Sequence, residues 1–286
     1  MDQSPKSQTV QQHARSTPRT WVRVLTASSL FDGHDASINV IRRMLQAEGA
    51  EVIHLGHDRS VGELVEAAVQ EDVNAVAVSS YQGGHNEFFK YLVDELRRRG
   101  CGHIRVYGGG GGTILPGEIA ELQAYGVARI FSPEDGRALG LKGMARYILD
   151  ECAQQTALPA PESAVIATLS PRDVGAVALL ISWIENHQQD AGTELAALRK
   201  RLEEAALASP SPTIGLTGTG GAGKSSVLDE LVRRFRLSNP GATVGILLID
   251  PTRRSSRGAL LGDRIRLNAI HSPGIYVRSM ATRREH

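Results

Sequence analysis

Residues Gly218-Thr219-Gly220-Gly221-Ala222-Gly223-Lys224-Ser225 spell a complete G-x-x-x-x-G-K-S phosphate loop. Gly220, Gly221, Ala222 and Gly223 let backbone N–H groups close around phosphate oxygens. Lys224 brings a point charge and is the candidate catalytic residue, and the Ser225 hydroxyl is a candidate Mg²⁺ ligand. An apolar run at 213–217 precedes the loop and a helical pattern follows from Ser226. That predicts the strand–loop–helix context the motif requires, with the helix N-terminus adding partial positive charge. A second group of unusual residues lies far upstream. It comprises Asp32-x-His34-x-x-Ser37, the segment Ser79-Ser80-Tyr81-Gln82-Gly83-Gly84-His85, and five glycines, Gly108 to Gly112. Five consecutive glycines cost conformational entropy. Close approach of a large, flat ligand is one reason to carry them; a floppy loop is the other.

The elements that must position these residues follow from hydrophobic patterning. Short apolar runs predict strands at 22–26, 51–55, 75–79, 104–107 and 128–131. Amphipathic stretches predict helices at 36–48, 61–71, 87–99, 117–123 and 134–150. Strict alternation of strand and helix argues for an α/β fold, a five-stranded parallel sheet covered on both faces, in the flavodoxin-like order 2-1-3-4-5. The three unusual loops then share the carboxyl edge of the sheet, where ligands of such folds bind. That common edge weighs against the floppy-loop reading.

Residues 1–20 read as a disordered tail, 21–152 as the first domain and 153–212 as a linker with helices. The stretch 213–286 reads as the start of a nucleotide-binding domain, its next strand at 243–249 ending on Asp250. Among 286 residues the formal net charge is +1, so no global field favours nucleic acid or an anionic membrane. No apolar run is long enough for a membrane span. Two distant cysteines, Cys101 and Cys152, suggest neither a disulfide framework nor a metal pair, and a reducing cytoplasm is the expected setting.

The Asp32–His34–Ser37 spacing, the Ser79–His85 segment and the glycine run together resemble the cobalamin-binding domain of B12-dependent mutases and methionine synthases. The string Ser29-Leu30-Phe31-Asp32-Gly33-His34-Asp35-Ala36-Ser37 is similar to a narrower group, the fused isobutyryl-CoA mutases, in which a cobalamin domain precedes a GTPase chaperone domain. The resemblance implies that His34 is the lower axial ligand of cobalt, in place of the cofactor's own dimethylbenzimidazole, and that Asp32 accepts its other ring N–H. It implies that Ser79 and the backbone at Gly83 line a slot for the displaced nucleotide tail, and that Gly108 and Gly109 allow close approach. Ser37 stands where the general motif has glycine. Ser28 stands where methylmalonyl-CoA mutases carry a lysine, so the relay ends or changes at Asp32.

Pro251-Thr252-Arg253-Arg254-Ser255-Ser256 and Gly262-Asp263-Arg264-Ile265-Arg266-Leu267 resemble the first switch of the GTPases that chaperone B12 mutases. By that likeness Asp250 and Asp263 approach Mg²⁺ with Ser225, and Arg266 approaches the nucleotide. The implied parent is an adenosylcobalamin-dependent isobutyryl-CoA/n-butyryl-CoA mutase. It is expected as a homodimer binding cobalamin, GTP and acyl-CoA, the last through domains beyond this truncated amino-terminal portion. The alternative is a non-catalytic B12 carrier or sensor with a nucleotide-binding arm. A GTPase joined to a flavin domain fits less well, because flavin needs no axial imidazole.

Overall fold

A computed structural model describes residues 21–154, 170, 172–187, 193–252, 256 and 258–283. The tail at 1–20, most of the Pro- and Ala-rich linker after 154, and Arg253 to Ser255 lie outside the described residues. Five strand–helix units come first: β1 (Arg23–Ser29), α1 (Ala36–Ala47), β2 (Glu51–Arg59), α2 (Val61–Glu71), β3 (Ala75–Ser79), α3 (His85–Arg98), β4 (Arg105–Gly109), α4 (Pro116–Tyr125), β5 (Arg129–Phe131) and α5 (Pro133–Ala153). All pairings are parallel, in the expected order 2-1-3-4-5. Strands covered on both faces read as continuous apolar runs, and β1 and β3 are buried at every residue. Alternate residues divide between two cores. Leu25, Ile53, Val76 and Val106 meet α2 and α3, whereas Val24, Val52, Ala77 and Tyr107 meet α1 and α5.

Helix ends follow local chemistry. Ser60 caps α2 through Glu63 N in a capping box, and Ser132 caps α5 in the same way. Gly140, at φ 63°, breaks α5 into two helical pieces.

The helices expected within 153–212 are α6 (Val174–Asn186) and α7 (Thr193–Ala208), packed through Leu180, Trp183, Leu195 and Leu198. The nucleotide segment then supplies α8 (Lys224–Ser238), β6 (Val244–Asp250), β7 (Ala259–Leu261) and β8 (Ile275–Ala281). β6 and β8 form a parallel pair. β7 joins the first sheet, pairing with β2 as its sixth strand. The expected strand at 213–217 does not form: these residues belong to no sheet, and Ile214 is 80% exposed. An apolar run becomes a strand only where a neighbour takes its backbone hydrogen bonds. No described strand lies beside it.

A buried ionic cluster fastens the nucleotide segment to the first sheet at the end away from the glycine loops. Glu71, fully buried at the carboxyl end of α2, accepts from Arg23 (2.8 Å), Arg264 (3.2 Å) and the Ser279 hydroxyl (2.8 Å). Arg283 pairs with Glu51 at 2.6 Å, and Arg278 with Glu185 at 2.8 Å. A carboxylate at a helix C-terminus meets an unfavourable dipole, which these cations offset.

Candidate functional site

The first site begins where β1 runs out. Asp32 N donates to Ser29 O (3.0 Å), closing a turn through Phe31, whose φ is 64°. Asp32 is fully buried beneath that turn and collects three N–H groups. Oδ1 accepts His34 N (2.8 Å) and lies 2.8 Å from His34 Nδ1, while Oδ2 accepts Tyr81 N (2.7 Å). The carboxylate therefore ties the loop after β1 to the loop after β3. With Nδ1–H directed at a carboxylate, the imidazole presents Nε2 as its lone-pair nitrogen. The ring is turned outward, its side chain 67% exposed. Ser28, buried on β1, donates its hydroxyl to His34 O at 3.2 Å, so it holds the backbone of this loop.

Beside the loop a cleft of about 400 Å³ opens between α1, α5 and the carboxyl ends of β3, β4 and β5. Ser37 stands at its mouth with its hydroxyl 2.7 Å from Tyr81 Oη. Ser79 lines the wall, as do the backbones of Gly108 and Gly109. The floor is apolar: Ile38, Ile41, Phe131, Leu141, Met144 and Ile148. One hydroxyl on this wall, Ser79 Oγ, is buried with no hydrogen-bond partner; the Tyr107 ring also lines the wall, with its hydroxyl beside Cys152. Burial pushes the Tyr107 phenol well above its ordinary range. An apolar cleft of small-molecule size with an orphaned hydroxyl fits a bulky heterocycle that brings its own hydrogen-bonding groups.

The glycine run is built rather than floppy. A Cβ at Gly110 would overlap the carbonyl oxygen of Ser80, and one at Gly111, whose φ is 57°, would overlap the Tyr81 ring. Gly83, expected in the slot, does not reach it. It lies exposed on the turn before Gly84, whose φ of 83° starts α3. His85 also faces away, with Nε2 3.1 Å from Glu118 Oε2. His54 is a packing residue on β2, its Nδ1 3.0 Å from Thr26 Oγ1, and burial lowers its pKa to about 4. Tyr107 and the α5 residues of the cleft had no distinguishing mark in the sequence, because parallel strands are apolar on both faces.

The second site is the phosphate loop. Gly223, at φ 83°, caps α8, and Lys224 Nζ donates to Thr219 O (3.0 Å) across the loop. Gly218 and Gly221 also adopt positive φ (155° and 79°). Ser225 is half-buried in the first turn of α8 and Asp250 ends β6. Arg266 is exposed at the end of the 3-10 helix Asp263–Arg266. The Asp263 side chain lies outside the described residues. Among the described residues no group of three or more His, Cys, Asp or Glu is placed to hold a metal ion. None of the described helices is long and apolar enough to cross a membrane.

Comparison with known proteins finds two families along the chain. Residues 22–141 match the family described as B12 binding domain, and residues 176–286 match the methylmalonyl Co-A mutase-associated GTPase MeaB. The fused isobutyryl-CoA mutase of Geobacillus kaustophilus is 58% identical over 268 residues, 93% of this chain. That of Cupriavidus metallidurans is 55% identical over 267 residues, again 93% of the chain. The chain spans 24% of the length of each. The pivalyl-CoA mutase small subunit of Xanthobacter autotrophicus is 33% identical over 147 residues, covering 48% of this chain and 95% of that subunit. The chain thus belongs to the family of fused isobutyryl-CoA mutases and acyl-CoA mutase small subunits, and it carries a cobalamin-binding domain followed by a MeaB-type GTPase segment.

Proposed function

We propose that this chain holds adenosylcobalamin and a GTPase element for the interconversion of isobutyryl-CoA and n-butyryl-CoA. The observation that carries the reading is the outward imidazole of His34, braced by buried Asp32 beside an apolar cleft. Imidazole is a suitable ligand for a transition metal such as cobalt. His34 would hold the cobalt through Nε2, and Asp32 fixes the ring's tautomer and heading through Nδ1. Ser79 would supply its hydroxyl to the displaced nucleotide tail, and Ser37 stands at the entrance. Gly109 would let that tail lie against β4, whereas a Cβ on Gly108 would meet Phe89 and Ile130 on the opposite face of the sheet. When bound, the cofactor supplies the radical chemistry; these residues hold and orient it.

In the second segment Gly220, Gly221, Ala222 and Gly223 wrap the phosphates of GTP. Lys224, which donates to Thr219 O here, would reach the β- and γ-phosphates. Ser225, Asp250 and Asp263 are the oxygen ligands proposed for Mg²⁺, and Arg266 approaches the nucleotide. Acyl-CoA binding and a homodimeric assembly belong to the whole parent protein, in a reducing cytoplasm that suits the free thiols of Cys101 and Cys152.

The test pairs two binding measurements on the 286-residue chain. Adenosylcobalamin should co-elute with the protein on gel filtration and show the absorption of a cofactor whose benzimidazole is displaced. Mg²⁺–GTP should bind to wild type and not to Lys224→Ala. Cobalamin that passes through unretained contradicts the first assignment, and equal GTP affinity in both proteins contradicts the second.

A further inference from the structure

The loop that carries His34 is held from a side its sequence motif does not mention. β2 outruns its partner: Thr26 pairs with His54, but Ala27 pairs with Gly56 and Ser29 with Arg59. Two extra residues therefore bulge from β2, as bulges beside functional sites often do to re-aim a neighbouring group. Gly56 adopts φ 83° and Asp58 adopts φ 57°, the latter a left-handed conformation that side chains seldom take. Asp58 is turned so that its Oδ1 accepts Phe31 N at 2.7 Å. Phe31, itself at φ 64°, immediately precedes Asp32. Two non-glycine residues in left-handed conformations thus brace each other at the root of the Asp32–His34 turn. Strain of this kind persists only where the surroundings over-determine it.

The other face of the bulge bears on the nucleotide segment. Ile265 Cδ1 occupies the space beside Gly56, 2.5 Å from where a Cβ would stand, and the φ of 83° at Gly56 also favours glycine there. Ile265 belongs to the 3-10 helix Asp263–Arg266. Its neighbour Arg264 is anchored to Glu71 (3.2 Å) and to the carbonyl of Val277 (3.1 Å). A continuous set of contacts therefore runs from Arg264 and Ile265 through Gly56 and Asp58 to Phe31 N, and so to Asp32 and His34.

We propose that Asp58 is a positioning residue for the His34 loop, and that the seat of Ile265 on Gly56 couples this loop to the nucleotide segment. The proposal rests on His34 being the cobalt ligand. Asp58 presets the loop so that the imidazole meets cobalt without further ordering. A displacement of the 3-10 helix would pass to the loop through the bulge.

The test uses the full 286-residue chain and cob(II)alamin, with two readouts: the protein-nitrogen splitting in the EPR spectrum, and amide hydrogen exchange over residues 31–34. Asp58→Gly keeps the left-handed backbone and loses the carboxylate. It should weaken cobalamin binding and speed loop exchange about threefold, the worth of one exposed hydrogen bond. Asp58→Asn keeps an acceptor and tolerates the same φ, and should stay within about twofold of wild type. Ile265→Ala should shift both readouts in the same direction, by about threefold for a partly buried contact. If Asp58→Gly matches wild type in both readouts, the positioning role is wrong. If Ile265→Ala matches wild type, the coupling is wrong. A wild-type spectrum with no protein nitrogen on cobalt would sink the ligand assignment itself; the exchange rates then still decide whether Asp58 and Ile265 hold the loop.

Discussion

Asp32 Oδ1 and His34 Nδ1 stand 2.8 Å apart, with the carboxylate fully buried and the imidazole facing solvent. The pair is an anchor and an arm. Three N–H groups fix the anchor, from the His34 ring, His34 N and Tyr81 N, so the arm has few headings open to it.

Replacing Asp32 by Asn should therefore impair ligation without unfolding the domain. The amide can still accept one N–H but presents an NH₂ group where His34 or Tyr81 also donates. Loss of such a supporting partner typically lowers metal affinity 10- to 100-fold. Equilibrium cobalamin binding to the variant checks this, and an unchanged affinity would show that Asp32 is only a turn residue.

Gly110 faces the carbonyl of Ser80 across the root of the cleft. Gly110→Ala should cost about 1–3 kcal/mol, because the clash is with backbone and cannot be relieved by a rotamer change. Urea denaturation measures the cost. A variant as stable as wild type would mean the two loops are free to part.

The Glu71 cluster predicts a different kind of loss. Glu71→Gln removes the counter-charge that buried Arg23 and Arg264 share, leaving Arg23 only its pair with Glu51. Breaking one partner of a buried ion pair costs about 3–5 kcal/mol. The same experiment should show β8 and the 3-10 helix Asp263–Arg266 losing amide protection first, since Ser279 and Arg264 hang on this carboxylate. A loss below about 1 kcal/mol would remove the cluster as the fastening between the two segments.

Much of this arrangement was legible in advance, for reasons that also explain the gaps. The order of β1 to β5 follows from strict alternation of apolar runs and amphipathic helices, which leaves few topologies. Asp32 and His34 stood out because their spacing lies within one loop. β7 did not stand out. It is three residues long, and its partner β2 lies about two hundred positions away in sequence. The apolar run at 213–217 misled for the converse reason: composition says nothing about whether a neighbour will take its hydrogen bonds. Gly83 stood out in the sequence only as one of a glycine pair, and it is its neighbour Gly84 that the turn into α3 requires. Asp58 carried no signal, since its role depends on a bulge that no periodicity announces.

His54 sets a pH dependence of stability. Burial lowers its pKa to about 4 from an ordinary 6.5. Between those values the unfolded chain binds a proton that the folded chain does not, so stability rises with pH across that window and falls on acidification. The contribution is on the order of 2 kcal/mol after allowance for partial exposure. Urea midpoints at pH 7 and pH 4.5 should converge in His54→Gln relative to wild type. Identical pH dependence in both proteins would assign the acid lability elsewhere.

The central claim is a nitrogen–cobalt bond from His34, and isotope labelling reads it directly. The 286-residue chain, grown with ¹⁵N-histidine and loaded with cob(II)alamin, should show the two-line splitting of a ¹⁵N ligand in its EPR spectrum. Unlabelled protein should show the three-line splitting of ¹⁴N, and His34→Ala should show neither from protein. A three-line pattern that survives the labelling would place the cofactor's own benzimidazole on the metal and contradict the account.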